Sequence, residues 1–236
     1  GTYTYSKAIY QEIEEATDKP QWQRKKGQEI SQQVGYIADG LFYDEAEILS
    51  APRQDGEVMP GDIRYRDING DGKIDVNDAT YIGYPETPRV IYGFSGFFNY
   101  KNWEFSFAFQ GSGKRSFFIN PDKISPFVKD KAMLKAIADD HWSEDNMSER
   151  PFWPRLSTQS IIAHNPYEDW SANNEERKST YFMRECRFLR CTSIELAYNM
   201  PRKLMDKLKM QNVKFYLRAN NPFLISNFKV WDVELG

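Results

Sequence analysis

The stretch DINGDGKIDVND, Asp67 to Asp78, spaces oxygen-bearing side chains as a hard cation requires. Asp67, Asn69 and Asp71 stand at the first, third and fifth positions of an EF-hand-type loop, and Gly72 stands at the sixth, where the chain must turn sharply. Lys73 at the seventh would offer its backbone carbonyl, Asp75 fills the ninth, and Asp78 fills the twelfth in place of the longer Glu. Ile74 supplies the apolar eighth residue. An all-oxygen, carboxylate-rich set suits Ca²⁺ rather than zinc or copper, which favour His and Cys. The expected role is structural: filling such a site orders the loop and whatever hangs from it. No helical pattern long enough for a paired EF-hand flanks it on both sides, which argues against a calcium-sensing switch.

No catalytic constellation accompanies this loop. His141 and His164 are the only histidines, and neither has a ligand-spaced partner or a Ser or Cys nucleophile motif nearby. Asp139 and Asp140 are adjacent on an expected helix end, so their side chains diverge. A carbohydrate-active enzyme would need a carboxylate pair lining a cleft, and the sequence announces none. Trp142, Phe152, Trp153, Tyr167 and Trp170 lie in polar surroundings, where they could stack on sugar rings or a partner, or pack the loops together. Of these, Trp142, Trp153 and Trp170 are the substrate-binding candidates.

The elements that must position these residues read as strands. In WEFSFAFQG, Trp103, Phe105, Phe107 and Phe109 alternate with Glu104, Ser106, Ala108 and Gln110. A two-residue turn at Lys101–Asn102 would set Tyr100 opposite Trp103, Phe98 opposite Phe105 and Phe94 opposite Phe109. A second hairpin pairs Arg190–Met200 with Val213–Ala219, joined by PRKLMDKLKMQ, whose Leu204, Met205 and Leu208 form a short amphipathic turn. The polar segment around Met133, Leu134, Ile137 and Ala138 reads as a short helix. The opening GTYTYS alternates from its first residues, as a chain entered mid-strand would, and shows no signal peptide.

Composition narrows the class. Of 236 residues, 15 % are aromatic, yet the mean hydropathy is −0.70, and no apolar run is long enough for a helical span. A membrane β-barrel satisfies both facts, because lipid-facing and lumen-facing residues alternate. The net charge of −3 with interspersed signs leaves no basic stripe for nucleic acid. Cys186 and Cys191 are too few for a disulfide scaffold. The turns are short on one side and the excursions 112–180 and 29–91 long on the other, the barrel pattern with its long loops outside the cell.

The strings QVGYIADGLFYDEAEI, MPGDIRYRDINGDGKIDVNDATYIGYPETP, YGFSGFFNYKNWEFSFAFQGSGKRSF, FLRCTSIELAYNMPRKLM and NNPFLISNFKVWDVELG follow in this order. Together they resemble the C-terminal part of SusC/RagA-like TonB-dependent outer-membrane transporters of Bacteroidetes. The run from Pro60 to Gly111 is the most specific stretch. The resemblance implies an all-β fold: antiparallel strands of a large transmembrane β-barrel, present in part, with long extracellular loops and short helical insertions. It divides the chain into a loop region at 29–91 carrying the calcium loop 67–78, a barrel hairpin at 92–111, a long extracellular loop at 112–180, a second hairpin at 181–221, and the start of a last extracellular loop at 222–236. The implied protein is a non-enzymatic importer of glycans or peptides in the outer membrane of a Gram-negative bacterium. Its partners would be a SusD-like lipoprotein, the TonB complex reached through the N-terminal part missing here, and outer-membrane lipid. Only Asp67, Asn69, Asp71, Lys73, Asp75 and Asp78 carry over residue by residue, as the family's calcium loop. The rival expectation is a secreted, calcium-stabilised β-domain for adhesion or scaffold docking.

Overall fold

The computed structural model describes residues 1–127, 131–148, 150–157 and 178–235. The chain divides into two units: 1–7, 87–115 and 185–235 form the first, and 8–86 with 116–184 the second.

The first unit is a five-stranded sheet in the order β1-β6-β7-β9-β10. Its strands are β1 (Thr2–Tyr5), β6 (Val90–Tyr100), β7 (Trp103–Phe118), β9 (Met183–Asn199) and β10 (Lys214–Ser226). The β6–β7 hairpin has the register expected from its aromatic faces: Tyr100 opposes Trp103, Phe98 opposes Phe105 and Phe94 opposes Phe109. Lys101 takes the left-handed conformation (φ 53°) that tight hairpin turns use. In the second hairpin Phe215 opposes Tyr198, Leu217 opposes Leu196 and Ala219 opposes Ile194. The amphipathic connector forms helix α4 (Arg202–Lys207).

The strands outrun the hairpin limits at 111 and 221. In β10 the ladder breaks between Asn220 and Phe223 and resumes with Phe223 opposite Cys191 and Ser226 opposite Phe188. Asn221 makes the kink at φ 49°, a conformation Asn tolerates better than most residues. A bulge breaks the period-two pattern and so hides the strand's continuation from a reading by alternation.

The second unit contains the long excursions, which carry structure of their own. Strand β2 (Gln33–Tyr36) pairs antiparallel with β5 (Thr80–Ile82) and parallel with the two-residue β8 (Lys178–Ser179). Strand β3 (Ala38–Leu41) pairs with β4 (Ile63–Tyr65). Short helices α1 (Glu45–Ser50), α2 (Pro121–Ile124) and α3 (Lys135–Asp139) complete it, α3 lying within the expected helical segment. Asp44 caps α1 by accepting from the Glu47 N–H at 2.8 Å, satisfying one of the donors a helix start leaves free. The core gathers Tyr36, Phe42, Tyr65, Phe117, Trp153 and Phe182, all nearly fully buried. Tyr36 and Tyr65 meet at 5.7 Å between ring centroids, and Trp153 meets Phe182 at 5.3 Å.

Candidate functional site

The acidic loop lies between β4 and β5 and folds around its own side chains. Asp67 accepts from the Gly70 N–H (2.6 Å) and the Gly72 N–H (2.8 Å), Asn69 from Asp71 (2.9 Å), and Asp71 from Lys73 (3.0 Å). These are Asx turns, in which a short polar side chain captures an N–H a few residues on. Gly72 sits at φ 84°, so its place at the sharp turn is a conformational requirement that a Cβ would strain. Ile74 is buried, and the backbone of Arg53 accepts from the Ile74 N–H at 2.8 Å, tying the loop down.

Asp78 is the loop's anchor. It is fully buried; one oxygen accepts from the Ile68 N–H (2.8 Å) and, at 3.4 Å, from Asn69, and the other accepts from Asp75 (2.8 Å). With Asp75 it forms a reciprocal capping box on the 3₁₀ turn Val76–Asp78. From outside the loop, the Trp22 indole N–H donates to the Asn77 carbonyl (2.8 Å) and the Gln23 amide to the Val76 carbonyl (2.7 Å). These braces lie far off in sequence, and no local pattern betrays them. Among the described residues no three His, Cys, Asp or Glu side chains converge as a metal-holding cluster. The Lys73 ammonium lies 2.7 Å from Asp75 and 3.9 Å from Asp71, a cation supplied by the chain itself.

Hydrogen bonding to Lys73 holds the Asp75 carboxyl below the ordinary carboxylate range, and hydrogen bonding to Asp75 raises Lys73. A depressed acid contributes its stabilisation fully above its unfolded pKa and loses it as pH falls through the folded value; a raised lysine does the reverse at the alkaline end. The bridge is therefore intact at neutral pH. In chelator, amide exchange over Lys73–Asp78, corrected for intrinsic rates, is expected to accelerate only below about pH 4. A flat profile there would show that Lys73 and Asp75 are not coupled.

Trp142 lines a cleft of about 200 Å³ together with Asp39, Leu41, Tyr43, Glu47, Arg64 and Met147. Its indole lies against Gly61, where a Cβ would come within 2.3 Å of the ring and where φ is 86°. Gly61 is thus required both for its backbone and for the seat it leaves. Arg155, beside that seat, pairs with buried Asp62 at 2.6 Å. In the cleft wall Arg64 pairs with Glu47, and Arg66 donates to Asp39 at 3.0 Å, which depresses the Asp39 pKa. Trp153, at 2 % exposure, is a core residue packed on Phe182 and offers no open ring. Trp170, with His164 and Tyr167, lies outside the described residues. Phe152 carries the Arg184 guanidinium 5.7 Å from its ring centroid. His141 Nδ1 lies 2.9 Å from the Ile137 carbonyl at the end of α3, a structural contact.

The five-stranded sheet has two chemically opposite faces. On one stand Tyr92, Phe94, Phe98 and Tyr100 of β6 and Trp103, Phe105, Phe107 and Phe109 of β7. Leu196 and Tyr198 of β9 and Phe215 and Leu217 of β10 continue that face. The rings form a continuous band: Phe94–Phe109 at 4.9 Å, Phe98–Phe107 at 6.1 Å and Trp103–Tyr198 at 4.7 Å. The band is open, with Phe98 60 % and Leu217 74 % exposed. On the other face Glu104 binds the Lys214 ammonium and the Asn199 amide, each at 2.6 Å, and Glu195 lies 3.9 Å from Arg218. Phe97 and Tyr216 are the large aromatics that break its polar character.

Against known proteins, no family model matches the chain. A TonB-dependent receptor of Formosa agariphila is 30 % identical over 198 residues, covering 83 % of this chain and 18 % of that protein. The TonB-dependent receptor SusC of Bacteroides thetaiotaomicron is 26 % identical over 211 residues, 86 % of this chain and 18 % of that protein. Over most of its length this chain is similar to TonB-dependent receptors of the SusC/RagA type. It spans about a fifth of the length of these relatives. Among solved structures, a chain of the RagAB peptide transporter superposes on 87 % of the SusC/RagA-like chain with a TM-score of 0.58 at 17 % identity, using 20 % of its own length. The open-open RagAB peptide importer gives 0.53 at 16 %. At such identities the likeness carries the fold alone: the sheet matches part of the β-barrel of those structures, and the relatives matched by sequence are receptors rather than enzymes.

Proposed function

We propose that the chain forms part of the wall and the large outer loops of a TonB-dependent importer in a Gram-negative outer membrane. The observation that carries this reading is the two-faced sheet. An open aromatic band on one side and an ion-paired polar ladder on the other is what a wall between hydrocarbon and an aqueous lumen requires. A secreted β-domain would cover that band with its own elements, and Phe98, Phe215 and Leu217 are exposed. The receptor works with a SusD-like lipoprotein over its extracellular loops, is energised by TonB through other parts of the receptor, and takes up glycans or peptides. Its transport step is conformational, without covalent chemistry. Trp142 is proposed as a substrate contact, a reading supported by its position in the wall of a cleft. Purified receptor that inserts into lipid bilayers, and whose deletion stops uptake of one glycan or peptide class, would support the reading. A receptor monodisperse in plain buffer would overturn it.

The loop at 67–78 is proposed to take structural Ca²⁺ through Asp67, Asn69, Asp71, the Lys73 carbonyl, Asp75 and Asp78. The support is the donor set: every side chain offered is an oxygen ligand, each carboxylate retains lone pairs beyond its backbone bonds, and two left-handed glycines shape the turn. Bound calcium would neutralise the clustered carboxylates and brace the loop. Asp71→Ala is expected to abolish calcium binding in calorimetric titration and to raise protease sensitivity between Glu57 and Pro88. Lys73→Met removes the competing ammonium and keeps the backbone carbonyl, so it is expected to tighten binding by roughly tenfold. Unchanged titrations for both variants would refute the site.

A further inference from the structure

We propose that the short-turn end of the five-stranded sheet is a docking surface for anionic phospholipid, built from the α4 turn and the Lys101 hairpin. The inference rests on the aromatic band facing hydrocarbon. Helix α4 and the residues after it leave Leu204, Leu208 and Met210 about half exposed (47 %, 53 % and 51 %). Around them stand Arg202, Lys203, Lys207 and Lys209, all exposed and none ion-paired to a carboxylate among the described residues. The Asn199 N–H donates to the Asn102 carbonyl at 2.8 Å, tying the β9 end to the β6–β7 turn, where Lys101 holds its ammonium 5.2 Å from the centre of the Tyr100 ring. This end therefore carries Lys101, Arg202, Lys203, Lys207 and Lys209 against Asp206, in a chain whose net charge is −3. Lys214 is not part of the set, because Glu104 holds its ammonium on the polar face.

The chemistry of the occupant follows from what borders the patch. Tyr100, Trp103 and Tyr198 end the aromatic band at this same edge, and rings of that kind settle at the depth of lipid headgroups. An apolar turn continuous with them enters the acyl boundary, while its lysines extend along their own stems to the phosphates. Zwitterionic lipid offers the same apolar contact without net charge, so anionic headgroups are the ones this end selects. Each cation close to an anionic surface is worth about fivefold in affinity.

The test uses the whole receptor in neutral detergent, with native mass spectrometry reading apparent Kd for phosphatidylglycerol and phosphatidylcholine. Wild type is expected to prefer phosphatidylglycerol, and Lys203→Gln with Lys207→Gln and Lys209→Gln is expected to cut that preference on the order of 100-fold. Leu204→Ser with Leu208→Ser should weaken both lipids alike. Equal affinity for the two lipids, a preference that survives the triple substitution, or displacement of the lipid by millimolar inorganic phosphate would each overturn the proposal. Insertion into phosphatidylcholine bilayers with no anionic preference overturns this inference alone, whereas failure to insert into any bilayer overturns the membrane reading with it.

Discussion

Phe107→Lys is expected to lower the folding free energy of the receptor in a bilayer by about 2–4 kcal/mol. The magnitude follows from depth. Phe107 lies four residues along β7 from Trp103, which ends the aromatic band beside Tyr198 at 4.7 Å. At about 3.4 Å per residue and a strand tilt near 40°, it stands roughly 10 Å along the bilayer normal from that edge. An outward apolar band is about 25 Å tall, so a lysine there sits close to the midplane, where its charge costs most. The same substitution at Ser106, one residue away on the polar face, is expected to change stability by less than about 1 kcal/mol. Urea titration of refolding into vesicles measures both; equal costs at 106 and 107 would mean the two faces share one environment.

The second large effect is expected at Asp78. Alanine there orphans the Ile68 and Asp75 N–H groups, bound at 2.8 Å each, inside a fully buried site. A buried donor left without a partner costs about 1–3 kcal/mol, so Asp78→Ala should cost about 2–6 kcal/mol. Chelator makes the measurement discriminating. Asp71 is exposed and accepts within the loop, so Asp71→Ala should lose calcium binding yet cost less than about 1 kcal/mol without metal. Asp78→Ala should be destabilised with and without metal. Hydrogen exchange over 67–82 reads the difference, and an Asp78→Ala loop protected as well as wild type in chelator would show that the buried bonds carry little.

The two residues also show what a sequence can and cannot display. Asp67, Asn69, Asp71 and Gly72 are legible because their spacing is the local geometry of an Asx-turn ladder. Asp78 reads as a ligand by position, and the structure shows a role that spacing cannot reveal, as the buried acceptor for Ile68 and Asp75. The braces from Trp22 and Gln23 depend on a chain reversal more than fifty residues long, to which hydrophobic period carries no clue. Among the tryptophans, sequence treats Trp142 and Trp153 alike; tertiary packing separates them, seating one over Gly61 at a cleft and enclosing the other against Phe182.

The hairpins were readable for the same reason in reverse. Alternation along Trp103–Phe109, set against Tyr92, Phe94, Phe98 and Tyr100 across the turn, leaves one register that brings the aromatic faces together, and that register is the one observed. Alternation fails where a bulge intervenes, so β10 past Asn220 could not be followed. The short strands β2 to β5 span three or four residues each, too few for any period to rise above the polar segments around them.

Spin labels at positions 106 and 107 of the receptor in bilayers test the lipid-facing assignment most directly, through collision with dissolved oxygen and with a water-soluble nickel chelate. Oxygen-dominated relaxation at 107 and nickel-dominated relaxation at 106 is the expected result. Nickel access at 107 equal to that at 106, or shielding of both labels from oxygen and nickel alike, would contradict it.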